Sequence, residues 1–72
     1  MVEIIYSLPN CHKCMKAKQL FPNAKYLLLS DIPLKEQKEI FSKCQEIHQI
    51  SAPILIDKNG NVLRHEEVGL NG

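Results

Sequence analysis

The chain has 72 residues, enough for one small domain with a modest hydrophobic core. Nine basic and eight acidic side chains give a net charge of +1, which removes the usual electrostatic argument for nucleic acid or an anionic membrane as partner. The longest apolar run, residues 26–29, is far shorter than the roughly 20 residues of a spanning helix. The first residues carry no basic region and no small-residue cleavage motif, so we expect neither a signal peptide nor a transit segment.

The three cysteines are an odd number, which fits poorly with a disulfide-stapled secreted framework. Cys11 and Cys14 are three positions apart, whereas Cys44 stands alone thirty residues further on. A single close pair in a chain without a secretion signal is typical of redox or metal chemistry. We therefore expect a cytoplasmic protein in a reducing compartment.

The first half of the chain predicts a strand, a helix and a second strand. Residues 2–6 are short and rich in β-branched and aromatic side chains, which favours a strand. Residues 11–20 contain no Gly or Pro and carry apolar side chains three and four apart, so they predict a short amphipathic helix. Residues 25–29 are nearly all apolar, which favours a strand in a central position, buried on both faces.

A second helix should follow, with Ser30 or Asp31 as its N-cap and Pro33 in its first turn. We expect it to reach about His48. Most of its apolar side chains form one stripe, made of Leu34, Gln37, Ile40, Phe41, Cys44 and Ile47.

The last third of the chain predicts a hairpin. Residues 54–56 form the third strand, Asn59-Gly60 is a strong turn signal, and residues 62–64 pair back as the fourth strand. The predicted order is β-α-β-α-β-β, in a single domain over residues 1–72. A strand–helix–strand unit favours a right-handed parallel pair, which the hairpin extends into a mixed four-stranded sheet with helices on its faces.

The close cysteine pair falls between a strand and a helix, where its chemistry is favoured. Cysteines three apart in a first helical turn lie close enough for a disulfide. The free amides and positive end of the helix stabilise a thiolate at Cys11, and Lys13 and protonated His12 can add positive charge. Cys14 lies one turn in, on the apolar face. This asymmetry predicts an attacking thiol and a shielded resolving thiol.

Two segments, Cys11-His12-Lys13-Cys14 after the first strand and residues 51–56 before and within the third, resemble the thioredoxin-fold family. The chain is most similar to its small glutaredoxin-like and thioredoxin-like redoxins. The resemblance implies a thiol–disulfide oxidoreductase with Cys11 and Cys14 as catalytic residues. It further implies a cis Ala52–Pro53 bond beside the pair, with Ala52 and Pro53 presenting backbone groups to the substrate.

The chain departs from the family at several points. It has no Trp, and His12 and Lys13 fill the dipeptide between the cysteines. Leu8 or Pro9 stands near where glutaredoxins carry a basic residue that helps bind glutathione, and residues 68–71 match their glutathione-gripping segment badly. The family's C-terminal helix is expected to be truncated or absent. We therefore expect an exposed apolar patch on the sheet face that this helix would cover.

The predicted function is the reduction of disulfides in proteins or small molecules through the Cys11–Cys14 pair. No bound cofactor or metal is expected, and electrons come from glutathione or from an NADPH-dependent thioredoxin reductase. The expected partners are a disulfide substrate and a reductase, with no nucleic acid and no membrane, and the chain is expected to be a monomer. The alternative is a small metal-binding or interaction module of the same fold without redox turnover.

The remaining candidates have ordinary structural interpretations. Cys44 is predicted to pack in the core. His12 either tunes the pKa of Cys11 or faces solvent, and Lys13 contributes at most a modest charge effect. His48 is interpreted as a helix C-terminal residue and His65 as a surface residue. The aromatic side chains predicted for the core are Tyr6, Phe21 and Phe41.

Overall fold

The structure, a computed structural model, describes residues 2–70. It contains four strands and two α-helices: β1 Val2–Ser7, α1 His12–Leu20, β2 Lys25–Leu28, α2 Leu34–Glu46, β3 Ile54–Asp57 and β4 Val62–Leu63. Two short 3-10 helices, Leu29–Asp31 and His65–Val68, follow β2 and β4. The predicted α/β class and the order β-α-β-α-β-β are confirmed. No helix in the described part of the chain is long and apolar enough to cross a membrane.

The sheet is mixed, with strand order β2-β1-β3-β4. β1 pairs in parallel with β2 and antiparallel with β3, and β3 pairs antiparallel with β4. β1 and β3 are therefore the central strands, and Ile5 and Leu55 face each other there, fully buried. The prediction that residues 25–29 form a central strand was wrong. β2 is an edge strand with exposed ends, because an apolar run alone does not distinguish a central strand from an edge strand covered by neighbouring loops and helices.

Side chains alternate between two apolar clusters, one on each face of the sheet, because successive residues of a strand point to opposite faces. On the α2 side the buried residues are Tyr6, Leu29, Ile40, Cys44, Ile54 and Ile56. On the α1 side they are Val2, Ile5, Ala17, Leu55 and Leu70. Each helix thus covers one face, as the sequence predicted.

The residues after β4 complete the α1 side of the sheet. Gly69 has φ 81°, a left-handed conformation that glycine adopts without a Cβ penalty. Its amide and that of Leu70 both donate to the His65 carbonyl, the latter at 2.9 Å. This turn sends Leu70 into the cluster, where its side chain is 1% exposed. The predicted exposed patch is not found at Val2, Ile5 and Leu55 of this face, because Leu70 packs in one cluster with them.

Helix α2 differs from the prediction at both ends. Ser30 and Asp31 belong to the first 3-10 helix, and the N-cap position is taken by Pro33, without a side-chain cap. The helix ends at Glu46, and His48 lies beyond it with φ 56°. The predicted cap and the predicted last residue were both wrong.

The apolar stripe of α2 is narrower than predicted. Ile40 and Cys44, four residues apart, are buried against the sheet, whereas Leu34 and Phe41 are 65% and 40% exposed. Phe41 follows Ile40 by one residue and so points about 100° away around the helix. The core assignment was therefore wrong for Phe41. It is confirmed for Tyr6, which is buried, and Phe21 is half-buried.

Cys44 packs in the core as predicted, as a free and fully buried cysteine. Burial raises the pKa of its thiol above the ordinary value of 9.0. The neutral thiol is therefore the form that the core holds.

Candidate functional site

Cys11 and Cys14 lie where the chain passes from β1 into α1. They are joined by a disulfide, with their Cα atoms 5.2 Å apart, inside the usual range for such a bond. Cys11 is the N-cap residue of the helix, in an extended conformation, and Cys14 sits in the first turn. Asn10 precedes them with φ 57°, a left-handed conformation that Asn tolerates better than most residues. The turn at Asn10 separates the extended β1 from the helix that begins at His12.

The sulfur of Cys11 accepts the N-cap hydrogen bond that a Ser, Thr, Asp or Asn side chain commonly accepts at the start of a helix. The Cys14 amide donates a hydrogen bond to Cys11 Sγ at 3.2 Å. No acidic side chain lies in the first turn to compete for the amides at this end. Such an amide donor, together with the positive end of the helix, favours negative charge on Cys11 Sγ once the disulfide is opened.

The two cysteines differ in accessibility. Cys11 is half-buried, whereas Cys14 is 0% exposed and packs on the inner side of α1. Cys11 is therefore the more accessible residue of the pair, and Cys14 is closed to external reactants. This is the asymmetry that the helical spacing predicted.

Pro53 lies at the same end of the central strands as the cysteine pair. The antiparallel β1–β3 ladder ends with Tyr6 opposite Ile54, so the carboxyl end of β1 and the amino end of β3 meet there. The Ala52–Pro53 peptide bond is cis, as the resemblance implied. Pro53 is buried and Ala52 is half-buried. The structure thus brings the predicted catalytic residues and the predicted substrate-binding residues to the same end of the sheet.

His65 was predicted to be a surface residue, and this was wrong. It is 6% exposed, and its Nε2 lies 2.6 Å from the carbonyl oxygen of Pro53. Because a carbonyl only accepts, Nε2 carries the proton and donates it in this hydrogen bond. No local pattern indicates this contact, since His65 follows a strand end and a single histidine there is usually exposed.

Gln49 is a second residue that sequence reasoning missed. Its Oε1 accepts from the His65 amide at 2.8 Å, and its Nε2 donates to the Leu63 carbonyl at 3.0 Å. One side chain thus joins the segment before Pro53 to the last residue of β4 and to His65 beyond it.

Arg64 provides a third connection. Its Nη1 donates to the Ile47 carbonyl at 2.6 Å, while its Nε forms an ion pair with Glu66 at 2.8 Å. Residues 47–53, named here the Pro53 loop, are therefore held near both ends and in the middle by the segment 63–65. These bonds fix the position of a loop that has no regular secondary structure of its own.

The two residues between the cysteines occupy the first turn of α1. His12 is exposed and Lys13 is half-buried. Neither forms an ion pair within the described residues, where Arg64–Glu66 is the one such pair. Both are close in sequence to Cys11. Their effect on the pKa of the Cys11 thiol stays a prediction.

Side chains able to ligate a metal ion do not cluster in the part of the chain that the structure describes. Within residues 2–70 no group of three or more His, Cys, Asp or Glu side chains is arranged to hold a metal ion. Cys44 lies in the cluster on the α2 side of the sheet, while Cys14 packs on the inner side of α1.

Comparisons of this chain with protein-family profiles, with curated proteins and with solved structures gave no match. The functional interpretation therefore depends on the geometry of the site itself.

Proposed function

We propose that the protein is a thiol–disulfide oxidoreductase with a thioredoxin-like fold, acting on disulfides in proteins or small molecules in the cytoplasm. The observation that carries the proposal is the Cys11–Cys14 disulfide at the start of α1, with the Cys14 amide 3.2 Å from Cys11 Sγ. A purely structural disulfide needs neither a partly accessible cysteine nor placement at a helix N-terminus.

The surroundings of the pair support the same function. The mixed sheet with a helix on each face is the predicted arrangement, and the buried Pro53 lies at the same end of the central strands as the cysteine pair, in keeping with what the resemblance implied. Ala52, which precedes Pro53, is half-buried, and we propose that backbone groups of these two residues bind the substrate chain. A substrate chain bound there would have its disulfide close to Cys11.

The proposed reaction begins with the reduced dithiol. The Cys11 thiolate attacks one sulfur of the substrate disulfide, a mixed disulfide forms, and the other substrate sulfur leaves as a thiolate that takes up a proton. Cys14 then loses its proton and attacks Cys11 Sγ, the mixed disulfide breaks, and the second substrate thiol is released. Two electrons and two protons pass to the substrate, and the protein ends as the Cys11–Cys14 disulfide.

Regeneration needs an external thiol reductant, which opens the Cys11–Cys14 bond by the same exchange run in reverse. We propose either glutathione or an NADPH-dependent thioredoxin reductase for this step. No bound metal or organic group takes part in the cycle.

The proposal is tested by the reduction of insulin and of a mixed glutathione–peptide disulfide, each coupled to NADPH through both reducing systems. The wild-type chain should turn over with at least one system, and Cys11→Ser should lose all activity. Cys14→Ser should accumulate a mixed disulfide at Cys11, detected by mass spectrometry. Cys44→Ala, a buried cysteine remote from the pair, is the control and should keep its activity.

Two results would contradict the proposal. One is the absence of turnover by a folded, fully reduced wild-type chain with either reductant. The other is a stoichiometric zinc or iron ion in the purified protein, bound by cysteines that do not cycle, which would favour the metal-binding alternative.

A further inference from the structure

The charges of this nearly neutral chain are unevenly distributed. Residues 4–30, which contain the cysteine pair and α1, hold four lysines and no aspartate or glutamate. Every one of the eight acidic side chains lies outside this stretch. The net charge of +1 therefore conceals a basic segment around the candidate site and an acidic remainder.

Helix α1 presents this basic character to solvent. Cys14 and Ala17 are its buried residues. With about 100° of rotation per residue, Lys16 points away from the sheet, and Lys13 and Lys18 lie on the two flanks. We call the set His12, Lys13, Lys16 and Lys18 the α1 basic surface.

The lysines of this surface are not neutralised within the described chain. The one ion pair there, Arg64–Glu66, lies elsewhere. Lys18 instead places its ammonium group 4.9 Å from the centre of the Tyr26 ring, a contact that leaves its charge in place. This cationic surface thus borders Cys11, the more accessible cysteine of the pair.

We propose that the α1 basic surface selects disulfides flanked by acidic residues in a partner polypeptide. The inference rests on the proposed function, because the partner must bring its disulfide to Cys11. Of the polyanions that such a surface attracts, a polypeptide is the one that carries a disulfide, so nucleic acid is the less favoured occupant.

Electrostatics would act mainly on the encounter. Opposite charges around two reacting groups raise the association rate, and the gain falls as salt shortens the screening length. For the three lysines of this surface, with His12 adding charge when protonated, we expect a gain near the lower end of the known range, about tenfold in kcat/KM at low ionic strength. Screening at about 0.5 M salt should remove most of this difference.

The test uses three synthetic peptide disulfides of identical sequence except for the residues that flank the cysteine, which are glutamate, glutamine or lysine. The expected order of kcat/KM is glutamate, glutamine, lysine, converging as salt is raised. Equal kcat/KM values for the three peptides at low salt would overturn this inference alone. Failure to reduce any of them would refute the proposed function, and the inference with it.

A matched pair of variants assigns the effect to the surface. Lys16→Glu combined with Lys18→Glu should remove or reverse the preference, while the kcat/KM of the glutamine-flanked peptide stays within about twofold. The control, Lys35→Glu combined with Lys38→Glu on α2, has the same net charge and should keep the preference. If both double variants change it equally, overall charge and not the α1 basic surface is responsible, and the proposal fails.

A single-stranded oligonucleotide serves as the competing polyanion. Strong inhibition by this oligonucleotide, without any preference among the three peptides, would assign the surface to nucleic acid and overturn the proposal. A clear preference among the peptides, with weak inhibition by the oligonucleotide, supports it.

Discussion

The hydrogen bond from His65 to the Pro53 carbonyl predicts a large effect of a single substitution on stability. His65→Leu keeps a side chain of similar size but removes the N–H that lies 2.6 Å from the Pro53 carbonyl oxygen. Because residue 65 is only 6% exposed, the Pro53 carbonyl is left without a hydrogen-bond partner at a buried position. A stranded buried acceptor costs about 1–3 kcal/mol. In a domain of this size, each kcal/mol lowers Tm by about 4–8 °C, so Tm should fall by at least about 4 °C.

The measurement is urea unfolding of the oxidised protein followed by far-UV circular dichroism, with a thermal scan in parallel. An unchanged m-value would show that the same surface is exposed on unfolding, so that the midpoint shift reports stability. His12→Leu, at an exposed histidine of the same chain, is the control and should change the free energy of unfolding by less than about 0.5 kcal/mol.

A second variant separates the hydrogen bond from the shape of the side chain. His65→Gln can again offer an N–H to Pro53 and should recover part of the lost free energy of unfolding. The reasoning is refuted if His65→Leu unfolds within about 0.5 kcal/mol of the wild type, or if the Leu and Gln variants are equally destabilised. Because the Pro53 loop would be less firmly held in His65→Leu, we also expect its KM for a peptide disulfide to rise more than its kcat falls.

Three further outcomes follow from the same structure. Gln49→Ala removes two hydrogen bonds and should lower the free energy of unfolding, measured in urea, by about 1–3 kcal/mol. The control, Gln19→Ala on the exposed side of α1, should leave it nearly unchanged. Similar values for the two variants would contradict the role of Gln49. Gly69→Ala should lower the free energy of unfolding by about 1 kcal/mol, because alanine is strained at φ 81° even though a Cβ would meet no neighbouring atom. An unchanged unfolding midpoint would exclude the left-handed turn at this position. Burial raises the pKa of Cys44 above 9.0 and, with a smaller contribution from Glu36, that of Tyr6 above 10.0. The unfolded chain then loses these protons first, so the free energy of unfolding should fall as pH rises through about 9 and 10, and Cys44→Ala should abolish the earlier part of that fall.

The order of the elements and the position of the cysteine pair could be predicted from the sequence because both depend on neighbouring residues. The β-branched run of β1 and the Asn59-Gly60 turn act over a few residues. The spacing of Cys11 and Cys14 at a helix start, with Cys14 on the apolar face, is fixed by helix periodicity. These features can be predicted without knowledge of the rest of the fold.

The features that only the tertiary structure decided join distant parts of the chain. β2 is an edge strand because β3 pairs with β1, and no local pattern encodes that choice. His65 is buried because Pro53, twelve residues earlier, offers it a carbonyl, and Leu70 is buried because the turn at Gly69 returns the chain to the sheet. Local sequence fixes which groups are available, whereas the pairing of strands fixes which of them meet, since a hydrogen bond or an apolar contact depends on distance in space and not along the chain.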